Sequence, residues 1–496
     1  MAASTNWVLS PQLIPWLTAI LLIFTYRQLK LQRWLSAISV LLALANAIHL
    51  LALVRAEGVL VFWASNWVPP FGIIMVADTL SAIMVLMSAI IGAVVVFYSF
   101  RTIDEGRERH FYYFLIQMLL VGCNGAFITG DIFNLYVWFE ILLLSSYVLL
   151  VLGSERGQLR ETYKYVLLNV LASTFFLVGL GLLYGVAGTL NMADLAVKLP
   201  QVENQGLVTL IAVIFIVVFG SKAAIFPLYF WLPQSYTEPP AAVSALFGGL
   251  LTKVGVYCLI RTFTLIFVGD TEFTHTLLLI LGIATMVFGG LGAIAQYNYK
   301  RILSYHIISQ VGYMLMGLAL NSVVSIAAAI YFMVHNIVVK SSLFLFAGVT
   351  EKITGTNELK QMGGLLHRYP WLGWGFFLGG ISLAGVPPFS GFFAKYLMLQ
   401  GAADISSYVA MFFTLAVGFL TLFSMMKIFI YCYWGAEKPV LAKAREINYL
   451  KMLPPALALV CLSIAMGVCA EAVIDLIMTA AAQLKDPSIY ITAVLG

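Results

Sequence analysis

Apolar runs long enough to cross a lipid bilayer recur from one end of this 496-residue sequence to the other. A helical span takes about 20 residues, and a span with its turn about 25–40, so this length accommodates roughly a dozen to fifteen spans. Sixty-two per cent of the residues are apolar and only 10% are charged, whereas soluble domains carry about 25% charged residues. The composition excludes a soluble enzyme, a secreted disulfide scaffold and a disordered chain.

Polar residues divide the apolar runs into fourteen predicted spans. Backbone groups in lipid must form their hydrogen bonds within the chain, so all fourteen are expected to be helices. The sequence therefore predicts an all-α polytopic protein with one transmembrane domain over residues 1–496. The predicted spans are 7–25, 34–54, 76–100, 111–130, 132–153, 163–188, 206–232, 240–265, 274–296, 302–320, 323–349, 371–400, 405–435 and 452–482.

The basic residues between the spans are unevenly distributed over the two sides. If the loop after the first span is cytoplasmic, the cytoplasmic loops hold 18 lysines and arginines and the other side holds 3. The positive-inside rule then predicts that both termini face outward. The three outer residues are Arg55, Lys198 and Lys485, and the 18 inner ones are Arg27, Lys30, Arg33, Arg101, Arg107, Arg109, Arg156, Arg160, Lys164, Lys300, Arg301, Lys352, Lys360, Arg368, Lys438, Lys443, Arg445 and Lys451.

Several ionisable residues fall inside predicted spans, where a charge is costly and indicates function by default. Glu140 lies near the middle of span 5, and Lys222, Lys253 and Lys395 lie in spans 7, 8 and 12. The alternative for Glu140 is a structural carboxylate satisfied by a neighbouring helix. For each lysine the alternative is a structural ion pair.

Prolines and glycines interrupt spans 7 and 12, and each interrupted span carries one of these lysines. Proline removes an intrahelical hydrogen bond, and interruptions in corresponding halves indicate an ion pathway in repeat-built transporters. We expect two inverted five-helix repeats, spans 4–8 and 9–13, with helices 7 and 12 broken. The predicted parts are N-terminal helices at 1–110, a first repeat at 111–268, a second at 269–436 and helix 14 at 437–496.

Span 11 adds His335 and Lys340 to this series of titratable groups. Burial disfavours the charged form of a lysine and a nearby carboxylate favours it, so a Glu–Lys pair that opens and closes changes its affinity for a proton. Glu140, Lys222, Lys253, His335, Lys340 and Lys395 are therefore predicted to form a proton relay. The alternative for His335 is a hydrogen-bonded core histidine, and this alternative is stronger for His306, which lies close to cytoplasmic basic residues.

The remaining embedded charges and the hydroxyl groups receive lesser roles. Asp78 and Lys427 are interpreted as embedded groups or helix-end anchors, and Glu471 and Asp475 as interfacial residues. Hydroxyls expected to hold bridging waters are Ser145, Ser146, Ser173, Thr174, Ser244, Ser309, Ser341 and Ser342.

Nothing in the sequence indicates a redox centre or a bound cofactor. The five cysteines form no CxxC pair and most lie in apolar runs, as is typical of small buried hydrophobic residues. No nucleotide-binding, zinc or haem motif is present, and no cluster of residues identifies a sodium site.

The segment SKAAIFPLYFWLPQSYTEPPAAVSALFGGLLTKVGVY resembles the signature of the antiporter-like proton-translocating subunits shared by multisubunit cation/proton antiporters and respiratory complex I. KRILSYHIISQVGYMLMG and GVPPFSGFFAKYLML are further matches, and the resemblance extends from about Asp78 to Lys427. The stretch DIFNLYVWFEILLLSSYVLL and the chain length favour the shorter of the two antiporter-like subunits of the Mrp (Mnh) sodium/proton antiporters over the much larger one.

The resemblance implies a role for each relay residue. Glu140 would be the span-5 glutamate paired with Lys222 of span 7, and Lys253 the connecting lysine of span 8. His335 and Lys340 would be relay positions of span 11. Lys395 would be the terminal lysine facing the outward channel. The implied setting is a hetero-oligomeric complex in a bacterial-type inner membrane, with protons and sodium ions as substrates, no cofactor and no nucleic acid.

Two other functions remain open on the sequence, and a third lacks support. The nearest is a proton-pumping membrane subunit of complex I or of a membrane-bound hydrogenase, which differs in being driven by electron transfer. The second is a non-conducting scaffold that only holds partner subunits. A solute transporter of an unrelated rocking-bundle fold has no supporting pair of unwound half-helices.

Overall fold

The computed structural model describes residues 5–439 and 448–496, and within them the chain is mostly helical. Lys443 and Arg445, which count toward the predicted cytoplasmic charge, lie outside the described residues. The α-helices are α1 Ser10–Phe24, α2 Leu29–Glu57, α3 Thr79–Thr102, α4 Glu105–Arg109, α5 Tyr112–Ile128, α6 Ile132–Val151, α7 Arg156–Ala187, α8 Met192–Lys198, α9 Gln205–Ala223, α10 Leu232–Ser235, α11 Ala241–Leu246, α12 Thr252–Leu265, α13 Thr271–Ala295, α14 Tyr299–Ala319, α15 Val323–Thr354, α16 Leu365–Arg368, α17 Pro370–Ala384, α18 Ser390–Asp404, α19 Tyr408–Ile428, α20 Pro454–Val468, α21 Ala470–Lys485 and α22 Pro487–Leu495.

Shorter elements connect or extend these helices. Two π-helical turns, Phe247–Leu251 and Phe429–Tyr433, join α11 to α12 and extend α19. The 3-10 turns are Asn6–Leu9, Ala64–Asn66, Leu199–Gln201, Leu359–Gln361 and Tyr449–Lys451.

Eleven helices of the described chain are long and apolar enough to cross a membrane, and twelve if the bent pair α20 and α21 counts as one span. The protein is therefore a polytopic membrane protein. The other predicted spans fall on shorter pieces: 111–130 on the 17-residue helix α5, and 371–400 on the two 15-residue helices α17 and α18. An 83° bend divides α20 from α21, within the predicted span 452–482. The length of the apolar runs alone therefore did not give the number of continuous helices.

A two-stranded antiparallel sheet precedes α3, where the sequence predicts the start of a span. Strand β1 (Leu60–Trp63) pairs with β2 (Ile74–Ala77), with Leu60 opposite Ala77. Asp78 then caps α3 by accepting hydrogen bonds from the backbone N–H and the hydroxyl of Ser81, at 2.9 and 2.7 Å. This cap fixes the start of the helix at Thr79 rather than at residue 76.

The centre of the protein is built from α11, α12, α14 and α15, which are buried over nearly their whole lengths. In contrast, α2, α7 and α19 present apolar side chains on the outside, including Trp34, Leu167 and Phe412. In a membrane protein such a face meets lipid or another subunit rather than water. Two of these interior helices, α12 and α15, carry predicted relay residues, namely Lys253, His335 and Lys340.

Two helices end inside the apolar region and resume after a few residues. Helix α9 ends at Ala223, followed by Ala224 with φ of +61°, and Pro227 and Pro233 prevent it from continuing. Helix α17 ends at Gly385 with φ of +89°, and α18 begins at Ser390. A glycine accommodates this left-handed backbone without strain.

The segments that flank the helix pair α6 and α7 and the helix pair α14 and α15 follow the same hydrogen-bonding pattern. Ile132 N donates to Leu190 O and Met192 N to Gly130 O; 167 residues later, Tyr299 N donates to Asn357 O and Leu359 N to Tyr297 O. Helices α7 and α15 are both 32 residues long and end at left-handed glycines, Gly188 and Gly355.

Candidate functional site

The first group of predicted residues surrounds the end of α9. The Lys222 ammonium is buried, donates a hydrogen bond to Ser173 Oγ at 3.3 Å and lies 4.9 Å from the centre of the Phe139 ring. Glu140 acts electrostatically on Lys222, but the two form no ion pair, and Glu140 Oε1 is buried without a hydrogen-bond partner in the described chain. The arrangement keeps an acid and a base near each other without fixing them in contact.

Lys253 begins the second group and depends on the π-helical turn before it. Its ammonium donates to the carbonyl oxygen of Gly248, five residues earlier, at 2.6 Å. A π turn is frequent at functional sites because its wider hydrogen-bonding pattern alters the local helix geometry. The side chain is fully buried and forms no ion pair among the described residues. Lys253 is also the charged group that acts on Lys340.

Lys340 and His335 lie one and a half turns apart on α15, and both are fully buried. The Lys340 ammonium donates to Leu303 O at 3.3 Å. His335 Nδ1 lies 2.8 Å from Ser390 Oγ, at the first residue of α18. The charges that act on the imidazole are those of Lys395 and Lys340, so His335 is within electrostatic range of two predicted relay lysines.

Lys395 spans the break between α17 and α18. Its ammonium donates to the carbonyl oxygen of Ala384, the last residue of α17, and lies 5.9 Å from the centre of the Tyr313 ring. The carbonyl is free to accept because the helix ends there. Lys395 is therefore held by a charge-assisted hydrogen bond to the end of a broken helix, and not by an ion pair with a carboxylate.

Buried polar atoms that have no hydrogen-bond partner in the described chain are concentrated on α14 and α15. They include both ring nitrogens of His306, both amide atoms of Gln310, Nε2 of His335 and both amide atoms of Asn336. Buried polar atoms normally bind protein groups or water, so seven in one region define a polar interior. Neither Gln310 nor Asn336 was predicted from the sequence, although each lies in an apolar run close to one of the two histidines.

His306 is buried as expected of a core histidine, but neither of its ring nitrogens has a hydrogen-bond partner in the described chain. It is fully buried, and the charges acting on it are those of Lys340, Lys395 and Lys427. Its side chain thus belongs to the same interior region as the second group of predicted residues.

Two embedded charges have structural partners. Asp78 and Arg261 form a buried ion pair with oxygen–nitrogen distances of 2.6 and 2.8 Å. Lys427 donates to the carbonyl oxygens of Ile294 and Gln296, both at 2.6 Å, at the C-terminal end of α13. Lys427 is thus a helix-end anchor, and Asp78 is both a helix cap and an ion-pair partner. Glu471 and Asp475 are exposed.

Lys300 is buried, although the sequence assigns it to a loop. Its ammonium lies 2.7 Å from a carboxylate oxygen of Glu351 and donates to Pro239 O at 3.2 Å. The residue lines a cavity of about 320 Å³ on the side predicted to be cytoplasmic, together with Glu155, Glu238 and Glu351.

No three His, Cys, Asp or Glu side chains of the described chain converge as metal ligands. All five cysteines are free thiols; three are buried, while Cys461 and Cys469 are exposed.

Asp131, the half-buried N-cap of α6, gives a pH-dependent prediction outside the spans. Burial raises the pKa of its carboxyl from 3.8 to about 6, against hydrogen bonds from the Asn134 and Phe133 backbone. The folded protein therefore binds this proton more tightly than the unfolded chain does. The stability gained from this proton is fully present below about pH 3.8 and is lost as the pH rises through 6. Asp131→Asn, which keeps the cap, is expected to exceed the wild type in stability by about 1–2 kcal/mol at pH 8 and by much less at pH 4.5.

Thermal unfolding of the purified complex at several pH values measures this difference. Asp486→Asn is the matched control, because Asp486 also caps a helix but is exposed; its effect on stability is expected to stay below about 1 kcal/mol. An equal effect of Asp131→Asn at both pH values would contradict the prediction.

The chain is similar to a known protein family and to named proteins. The family described as NADH:quinone oxidoreductase/Mrp antiporter, transmembrane, matches residues 129–421. A protein of Alkalihalophilus pseudofirmus, named as a Na(+)/H(+) antiporter subunit of type D, is 52% identical over 490 residues, 99% of each chain. A Bacillus subtilis protein of the same name is 46% identical over 490 residues, again 99% of each chain.

Two solved structures are similar over the whole fold. A chain of the Mrp complex from a Dietzia species matches with a TM-score of 0.92 and 31% identity, covering 100% of both chains. A chain of the membrane-bound sulfane sulfur reductase, an archaeal respiratory membrane complex, matches with a TM-score of 0.92 and 26% identity, covering 99% of this chain and 100% of the other.

Proposed function

Because the chain belongs to the NADH:quinone oxidoreductase/Mrp antiporter family, we propose that its buried Glu, Lys and His side chains carry protons across the membrane midplane. The protein is a proton-translocating subunit of a hetero-oligomeric sodium/proton antiporter. It works in secondary active transport rather than as an enzyme.

The observation that carries the proposal is that the relay lysines are buried but make no ion pair in the described chain. Lys222, Lys253, Lys340 and Lys395 are instead held by a hydroxyl or by backbone carbonyls. A buried lysine that serves only stability is normally paired with a carboxylate. Lysines bound to neutral acceptors can release and regain a proton without leaving a carboxylate unpaired.

The proposed sequence of groups follows the chain from α6 to α18. Glu140 and Lys222 form the first acid–base unit, and Lys253 connects it to Lys340, on which it acts electrostatically. His335 stands between Lys340 and Lys395. Lys395 ends the relay and exchanges its proton with the outward side. The unpaired polar atoms of His306, Gln310 and Asn336 bind the waters that bridge these groups.

Two inverted five-helix repeats organise this relay, with fourteen spans in total. In this reading α5, the broken pair α17 and α18, and the bent pair α20 and α21 each count as one span. The hydrogen-bond pattern repeated at 167 residues supports the repeats, because it aligns Ile132, Gly188 and Met192 with Tyr299, Gly355 and Leu359. The repeats occupy 111–268 and 269–436, between the helices of 1–110 and the C-terminal helix of 437–496.

The setting of the protein follows from its topology and its relatives. The positive-inside distribution supports a bacterial cytoplasmic membrane with both termini outside. Sodium and protons are the exchanged ions, as the names of its relatives state.

The function is tested in everted membrane vesicles that contain the chain with its native partners. An acid-inside pH gradient is followed with a fluorescent amine, and sodium is then added. We expect sodium to collapse the gradient. If sodium has no effect while an electron donor builds a gradient, the chain instead belongs to a redox-driven pump, such as a respiratory complex or a membrane-bound hydrogenase.

A further inference from the structure

Helix α20 lies outside both proposed repeats and packs directly against the break between α17 and α18. A Cβ atom at Gly467 would lie 2.0 Å from the carbonyl oxygen of Pro388, so only glycine permits this approach. The hydroxyl of Tyr331 on α15 donates to Met466 O at 3.1 Å. The last predicted span therefore contacts the break and the histidine-bearing helix together.

Ser463 of α20 joins the two sides of the break. Its Oγ lies 2.7 Å from Ser382 Oγ on α17 and 2.8 Å from Ser390 Oγ on α18. Ser390 Oγ in turn lies 2.8 Å from His335 Nδ1. The three serines and the histidine are fully buried. A continuous chain of hydroxyls thus connects α17, α20 and α18 to the imidazole.

The hydroxyl chain engages one ring nitrogen of His335 and leaves the other without a partner. Nε2 is buried and forms no hydrogen bond within the described chain. A Cβ at Gly391 would lie 3.0 Å from Nε2 and 2.9 Å from Cε1, so the ring edge is close to the backbone there. The charged groups that act on the ring are Lys340 on α15 and Lys395 on α18.

We propose that Ser463 is a positioning residue that fixes the tautomer of His335 through Ser390, so that Nε2 exchanges the transported proton. The neutral imidazole carries its hydrogen on Nδ1 and donates it to Ser390 Oγ; Ser390 donates to Ser463 Oγ, and Ser463 to Ser382 Oγ. The lone pair of Nε2 is then free to accept a proton. In each cycle Nε2 binds one proton and releases one, while Nδ1 keeps its hydrogen bond. The inference rests on the proposed function, because it requires His335 to act in the relay.

Ser463→Ala tests the inference in the assembled complex, with initial rates of sodium-dependent proton movement measured from pH 6.5 to 9.5. We expect a rate about tenfold lower, because Ser390 loses the hydroxyl that accepts from it and is no longer held toward His335 Nδ1. The pH optimum is expected to move toward lower pH, because Ser390 without Ser463 accepts less well from Nδ1. The bond donated by the charged imidazole is the stronger one, so the charged form loses more than the neutral ring does. Ser463→Thr, which keeps the hydroxyl, is expected to restore both rate and optimum.

Two further variants separate positioning from a general structural effect. Ser390→Ala is expected to reproduce the altered pH profile, and it carries the test if Ser463→Ala does not assemble. Ser424→Ala is the control, because Ser424 is equally buried but its hydroxyl donates only to Leu420 O of its own helix. It is expected to retain the wild-type rate and profile.

The inference is overturned if Ser463→Ala keeps the wild-type rate and pH profile. It is also overturned if the rate falls equally at every pH and threonine does not rescue it. His335→Ala distinguishes this failure from failure of the proposed relay. If His335→Ala loses transport and Ser463→Ala does not, only the positioning role is rejected. If His335→Ala keeps wild-type transport, His335 is not part of the relay.

Discussion

Lys222→Ala in the assembled complex is expected to lower sodium-dependent proton movement by about 100-fold or more. The magnitude is that of losing a positioned acid–base group. No other lysine, arginine or histidine forms a contact with Ser173 in the described chain, so the ammonium has no substitute there. The measurement is the rate at which sodium collapses an acid-inside pH gradient in everted vesicles. Glu140→Gln is expected to reduce the rate in the same direction, because Glu140 is the carboxylate that acts on Lys222.

Lys198→Ala is the matched control for this substitution. Lys198 lies on a short helix predicted to be outside the membrane and pairs with Asp194 at 2.8 Å on a partly exposed surface. Such pairs contribute little, so the rate is expected to remain within a factor of two of the wild type. Unchanged proton movement in an assembled Lys222→Ala complex would favour the non-conducting scaffold instead.

The second large effect is expected at the Asp78–Arg261 ion pair and concerns stability rather than transport. Asp78→Ala leaves the Arg261 guanidinium buried without its carboxylate, which is expected to cost about 3–5 kcal/mol. The guanidinium also lies 5.5 and 5.3 Å from the ring centres of Tyr257 and Tyr490. Loss of the pair therefore affects the contact with the C-terminal helix α22 as well. Thermal unfolding of the purified complex measures the change.

A double substitution and a surface pair provide the controls. Asp78→Leu combined with Arg261→Met removes both charges and is expected to be less destabilising than Asp78→Ala, because no buried charge remains unpaired. Glu105→Ala breaks an exposed pair with Arg109 at 3.7 Å and is expected to change stability by less than about 1 kcal/mol. A single Asp78→Ala variant as stable as the wild type would contradict the structural role.

The polytopic helical class and the family were predictable because both depend on local sequence. Long apolar runs require helices wherever they cross lipid, and the signature around Lys222 and Lys253 is contiguous in the chain. The family match over residues 129–421 and the relatives named as sodium/proton antiporter subunits confirm that identification. The number of continuous spans was less predictable, since an 83° bend after α20 interrupts an apolar run that is long enough for one span.

The partners of the buried charges were not readable from the sequence. Asp78 and Arg261 are 183 residues apart in the chain, and Lys427 meets carbonyls more than 130 residues away. The sequence places Asp78 and Lys427 inside predicted spans as embedded groups or helix-end anchors, without a partner for either. Asp78 and Arg261 neutralise each other, whereas Lys427 and the relay lysines alike have only neutral acceptors. Lys427 differs from the relay lysines in binding two carbonyls at once, at the C-terminal end of α13.

The sequence by itself determined that this chain lies in a membrane and at which positions ionisable residues interrupt its apolar runs. It also determined that the motifs around those residues are those of a proton-translocating family. These properties follow from hydropathy and from motifs whose residues are neighbours in the chain. Only the tertiary structure decided which charges are satisfied, and that Ser463 meets Ser382, Ser390 and, through it, His335. Hydrogen bonds and ion pairs act over a few ångströms, and the packing of distant helices determines which side chains come that close.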